Sequence, residues 1–311
     1  MELGWDTSCA DWEDRIVEGR SLMPCKPLFP RVAEIALNIF KELILVDVMG
    51  SPKIGDVTRN WVYEFVEAIF GAYDPVEKKR LIKEFFLLIS KKNTKSTIAS
   101  GIMLTALILN ERQSAELIVL APTKEIADNS FKPLMDFIRS DEELSVMLSI
   151  SEHTKTITHL GNSSTLKVVA AESNTVAGNK ASIVLVDELW LFGKRNGAES
   201  MMREAKGGLT SRPEGCIIYL STMSDEVPCG VFKQLLDYAR DVRDGIKKDK
   251  RFLPIIYEFP KSYIENNQHL DPKNFYITNP NLGASVSEEY LEDEFNKVRD
   301  AGEESLRDFL A

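Results

Sequence analysis

Between Leu81 and Tyr257 the chain alternates short apolar runs with longer stretches in which apolar positions recur at helical spacing. Apolar runs at Phe85–Ser90, 116–122, 181–187, 216–220 and 252–257 predict strands. Periodic stretches at 96–110, 124–138, 198–207 and 231–246 predict helices. Segments 155–160 and 165–171 alternate apolar and polar positions around Gly161-Asn162 and predict a strand pair. Several runs are continuous and rich in β-branched residues, as in strands buried on both faces of a parallel sheet. Repeated β–α order then predicts an α/β protein with three layers.

The flanks read differently. Residues 1–30 are polar, with Trp5 and Trp12, and predict short helices or irregular chain. A helix is expected over 31–48, with Val32, Ile35, Ala36, Ile39 and Phe40 on one side, until Met49-Gly50-Ser51-Pro52 breaks it. A second is expected over 60–70, closed by Gly71. These helices read as packing elements or as a lid over a nucleotide base. Beyond Pro260 the chain turns polar (Asn266, Asn267, Asn279-Pro280-Asn281, Gly283) and reads as a linker. A charged helix follows over 287–307, capped by Ser287. The expected division is 1–75, a helical extension or lid; 76–260, the core; and 261–311, a linker subdomain.

The candidate chemistry sits at strand ends. The run Phe85–Ser90 leads through Lys91, Lys92, Asn93 and Thr94 into Lys95-Ser96-Thr97 and a helix. Strand, polar Lys-Ser loop and helix is the layout of a phosphate-binding loop. There N–H groups and the helix N-terminus face phosphate, lysine reaches the β/γ oxygens, and serine holds magnesium. A capped strand-to-helix turn accounts for these residues equally well, because Ile89 and Thr94 stand where the standard pattern has glycines. The run ending in Asp187-Glu188 shifts the balance. Carboxylates at the C-terminal end of a buried strand lie where open α/β sheets bind ligands, Asp187 suiting magnesium and Glu188 the activation of water. A third strand ends in Ser221-Thr222, hydroxyls suited to sensing a γ-phosphate or simply to capping a strand.

Composition narrows the class. The 311 residues carry a net charge of −10, so any nucleic-acid contact must come from a local basic patch. No apolar run approaches a membrane span, and the N-terminus is too acidic for a secretion signal. The four cysteines (Cys9, Cys25, Cys216, Cys229) lack close pairing and read as reduced thiols. Three scattered histidines (His153, His159, His269) argue against a histidine metal site.

From about Asn60 onward the sequence resembles the large terminase subunit of tailed bacteriophages, through "LLISKKNTKSTIASGI", "LAPTKEIADNSF", "TVAGNKASIVLVDELWLF", "TSRPEGCIIYLSTMSD" and "ITNPNLGASVSEEYLEDEF". The resemblance implies a P-loop NTPase of the ASCE type that hydrolyses ATP with Mg2+ to drive double-stranded DNA into a procapsid. It implies nucleotide binding by residues Ser90 to Thr97, with Lys95 on the β/γ-phosphates, Ser96 and Asp187 on magnesium, Lys91 near the γ-phosphate, Glu188 activating water, and Ser221 and Thr222 coupling hydrolysis to movement. Arg212, with Arg203 as alternative, would complete a neighbour's site in a ring on the portal protein, working with the small terminase subunit in the host cytoplasm. The solution oligomer is left open and no membrane partner is implied. A nuclease domain is expected to follow the linker in this family, so the chain reads as the ATPase half plus linker, without that domain. Thr94 departs from the family, which usually keeps a glycine there. Two other readings stand: a helicase-type ATPase, because "LAPTKEIA" followed by Asp-Glu occurs in helicases too, and a catalytically silent module that docks on the portal.

Overall fold

The structure, a computed structural model, describes residues 4–171 and 181–310. Eight strands form one sheet: β1 (Glu84–Leu88), β2 (Glu116–Ala121), β3 (Leu148–Ser151), β4 (Thr156–His159), β5 (Thr165–Ala170), β6 (Ile183–Val186), β7 (Cys216–Ser221) and β8 (Phe252–Ile256). Their spatial order is β8-β1-β7-β6-β2-β5-β4-β3. The six from β8 to β5 run parallel, and β4 and β3 extend the sheet antiparallel at one edge.

Alternation along each strand divides the core in two. Phe85, Leu87, Val119, Leu185, Ile218 and Leu220 face one layer, while Phe86, Leu88, Leu120, Val186, Ile217 and Tyr219 face the other. The first layer holds α1 (Pro30–Glu42), α2 (Asn60–Gly71), α3 (Lys95–Ile108) and α4 (Lys124–Arg139). The second holds α5 (Gly230–Arg243), through Phe232, Leu236, Ala239 and Val242. Strands buried from both sides explain the continuous apolar runs. Phe85 and Phe86 are fully buried, and truncating either to alanine should cost about 3–5 kcal/mol. The N-terminal helices share the larger core: a Cβ on Gly101 of α3 would stand 2.6 Å from the Phe40 ring of α1, so glycine permits this approach.

Several expectations need correction. The helix expected over 31–48 ends at Glu42, because the chain turns extended at Leu43 and Ile44 bridges to Lys53. The helix expected over 287–307 is two, α6 (Glu288–Ala301) and α7 (Glu303–Leu310), divided at Gly302 with φ 116°. A short helix at Glu142–Met147 and strand β3 were not foreseen, their apolar positions being too few to show a period. The polar stretch after Pro260 is not a loose spacer: Phe275, Ile277 and Val286 are buried, as are Asn279 and Asn281. The "TVAGNK" part of the acid-strand motif lies outside the described residues. Among the described residues, no helix is long and apolar enough to cross a membrane.

Candidate nucleotide site

The parallel register brings three strand ends to one edge. Leu88 of β1 pairs with Ser221 of β7, and Tyr219 of β7 pairs with Val186 of β6. The lysine loop therefore leaves the sheet two strands from the acid pair, with Ser221-Thr222 between them.

Lys95 opens α3. Thr94 is its N-cap residue, left-handed at φ 59°, ψ 25°, and makes no capping bond to the first turn. Its hydroxyl donates to the Asn93 carbonyl at 2.8 Å instead. The first N–H groups of a helix have no intrahelical acceptor and carry the positive end of its dipole, so they face outward as anion donors. A β-branched residue in the left-handed region costs about 1–3 kcal/mol.

The acids converge on this turn. Lys95 Nζ lies 3.1 Å from Glu188 Oε1, with side chains 6% and 20% exposed. The Ser96 hydroxyl lies 3.4 Å from Asp187 Oδ2, and the Ser130 hydroxyl 3.0 Å from the same oxygen. Asp187 Oδ1 accepts from the Glu188 N–H at 3.0 Å. Burial and then the neighbouring Glu188 carboxylate push the Asp187 carboxyl above the usual aspartate range, against Lys95 and Ser130, which lower it. The Ser96 hydroxyl and the Asp187 carboxylate form an all-oxygen donor set that fits magnesium.

Glu188 is left-handed too, at φ 48°, ψ 52°. This turn returns the Trp190 indole Nε1–H to Glu188 Oε2 at 2.9 Å. It also sends the Trp190 backbone N–H to Ser221 Oγ at 3.1 Å, and Ser221 donates onward to the Thr222 carbonyl at 2.7 Å. The Lys91 ammonium sits 5.7 Å from the Trp190 ring centroid. One chain of contacts thus runs from the acid to the Ser-Thr strand end. Thr222 Oγ1 is buried with no hydrogen-bond partner among the described residues.

The family model for the terminase large subunit ATPase domain matches residues 61–241, more than half of the chain. The chain belongs to the terminase large subunit family. Its fold is similar to that of the HK97 bacteriophage large terminase in the crystal, with a TM-score of 0.73 at 19% identity over 89% of this chain and 54% of that one. It therefore spans about half the length of the HK97 chain. Looser overlaps occur with the Thermus phage P74-26 large terminase ATPase domain (TM-score 0.46, 14% identity, 68% of this chain and 92% of that one). Another is with the large terminase of the thermophilic bacteriophage D6E, solved in complex with ADP (TM-score 0.39, 16% identity, 64% and 46%). No curated protein matches the sequence.

Within this terminase ATPase fold, Lys95, Ser96, Asp187, Glu188 and Ser221 form one cluster. Ser90 to Thr97 make the loop and first turn, with Lys91 and Lys92 exposed and Asn93 buried. Arg212 lies elsewhere. It precedes β7, whereas the site lies past the strand's C-terminal end, and six strand residues span roughly 20 Å. Arg203 is exposed on the helix Ala198–Gly208. Sequence reasoning missed Ser130, Trp190, Asn279 and Asn281. Trp190 lies two residues past the acids and carried a usable signal. Ser130 carried none, being one serine on a predicted helix.

Proposed function

We propose that this terminase ATPase domain hydrolyses ATP as a motor that moves double-stranded DNA into a procapsid. The observation that carries the reading is the pairing of Lys95 with Glu188 beside Ser96 and Asp187, at an uncapped helix N-terminus. Within one cluster lie a cation for the β/γ-phosphates, oxygens for a metal, and an acid for water.

Loop N–H groups and Lys95 would take the triphosphate, with Lys95 exchanging Glu188 for phosphate oxygens. Ser96 and Asp187 would hold magnesium, which neutralises charge on those oxygens. Glu188, released from Lys95 and steered by the Trp190 indole, would accept a proton from the attacking water. Ser221 and Thr222 would pass the change to the sheet through the Trp190 link. Arg212 would act in a neighbour's site, since it is remote from its own. The division at residues 75 and 260, the ring on the portal, the small subunit partner and the host cytoplasm belong to the same reading.

Steady-state ATP turnover by the purified chain tests it. Turnover lost in both Lys95→Ala and Glu188→Gln supports a motor. A rate unchanged by either supports a silent docking module, and strand separation of a duplex supports the helicase reading.

A further inference from the structure

The segment Asn279-Pro280-Asn281 has no place in the catalysis described above, yet its two asparagines are buried against the phosphate loop. Asn93, fully buried at the loop's centre, donates from Nδ2 to the carbonyls of Ser90 and Lys91 at 3.1 and 3.2 Å and to Asn279 Oδ1 at 3.0 Å. Its Oδ1 accepts the Asn281 backbone N–H at 3.1 Å. The Asn281 amide completes the arrangement. Its Oδ1 accepts the Trp61 indole N–H at 2.9 Å, which leaves Nδ2 as donor to the Asn93 carbonyl and to the Thr94 hydroxyl, both at 3.2 Å. Directions are consistent: indole and backbone N–H groups only donate, carbonyls only accept, Thr94 spends its one proton on Asn93, and the two Asn93 Nδ2 protons are shared among three acceptors.

We propose that Asn281 is a positioning residue that holds the phosphate loop in the left-handed turn that Thr94 would otherwise leave, so that the N–H groups of α3 stay aimed at phosphate. The inference rests on the ATPase reading for its consequence, though not for the contact itself. A glycine at 94 would take this turn without steric cost. Threonine needs an external hold, and Asn281 grips the hydroxyl and carbonyl on either side of the strained bond. Its effect should therefore depend on residue 94.

The test compares Asn281→Ala, Thr94→Gly and the double variant in the full chain. Asn281→Asp serves as a second probe, because it keeps an acceptor for Trp61 and loses the donor to Thr94. The readouts are KM and kcat for ATP, affinity for mant-ADP, and hydrogen exchange of the loop amides without nucleotide. The expected result is KM and mant-ADP dissociation constant raised about tenfold by either Asn281 variant, the scale of one lost charge-free clamp on a strained residue. Loop exchange should quicken, and kcat should change much less than KM. With glycine at 94 the same change should matter less than about threefold, because the strain is gone. An equal loss in both backgrounds, or loop exchange unaltered by Asn281→Asp, overturns the proposal. If the unsubstituted chain neither turns over ATP nor binds mant-ADP, the ATPase reading fails, and the exchange comparison alone decides whether Asn281 holds the loop.

Discussion

Lys95 and Glu188, 93 positions apart in the chain, form an ion pair at 3.1 Å across the mouth of the site. The lysine expected to grip phosphate is thus held by the acid expected to activate water. On the proposed reading each would have to release the other before either acts, so the pair would be a latch as well as a catalytic couple.

Breaking the latch from its two sides should have opposite effects on binding. Glu188→Gln should lower turnover by about a hundredfold to ten-thousandfold, the range for a lost general base. It should also bind ATP more tightly, because Lys95 no longer has a competitor. Lys95→Ala should lose turnover and affinity together. Equilibrium binding of mant-ATP separates the two.

Trp190→Phe removes the indole donor to Glu188 while keeping an aromatic ring beside Lys91. A hydrogen bond to a charged group is worth about 1.5–3 kcal/mol, so kcat should fall at least about tenfold. KM should barely move, because phenylalanine keeps the ring contact with Lys91 of the phosphate loop and loses only the bond to the acid.

Much of this was readable in advance, and the division between what was and what was not is physical. The parallel sheet, the lysine loop and the acid strand are local patterns: continuous apolar runs fix buried strands, and parallel order then forces their ends to one edge. Asn281 and Ser130 owe their places to the folding of remote segments, and nothing in the residues around them signals a partner. Thr94 was legible as an anomaly, but its accommodation was not, since its partner lies 187 residues away. The linker's polar composition misled for the same reason, since Asn279 and Asn281 spend their amides on buried hydrogen bonds to the phosphate loop.

Asp187→Asn should raise stability while abolishing turnover. The Asp187 carboxyl titrates above its unfolded value, so the folded state binds the proton more tightly than the unfolded one. Its contribution is favourable at low pH and is lost as pH rises through the folded value. Near neutral pH the variant should melt higher by about 2–4 °C per kcal/mol relieved, and the gain should vanish on acidification. Calorimetry across pH checks both halves.

Thr222→Val should leave the melting temperature unchanged or slightly raised, because the buried hydroxyl has no partner to lose among the described residues. ATP turnover should survive and DNA movement should not, if the hydroxyl matters only when the γ-phosphate is sensed. Paired turnover and packaging assays decide it.

Arg212→Ala and Glu188→Gln should each be inactive alone and partly rescue one another when mixed. In a random ring half the sites keep Glu188 and half of those face a neighbour with Arg212, so about a quarter of turnover should return. No rescue would mean that the arginine acts within its own chain or not at all.

The most direct test of the central claim is a crystal structure of this chain with a non-hydrolysable ATP analogue and magnesium. The account predicts Lys95 off Glu188 and on the β/γ-phosphate oxygens, with Ser96 and Asp187 at the metal. A triphosphate seated elsewhere, with the Lys95–Glu188 pair intact, would contradict it.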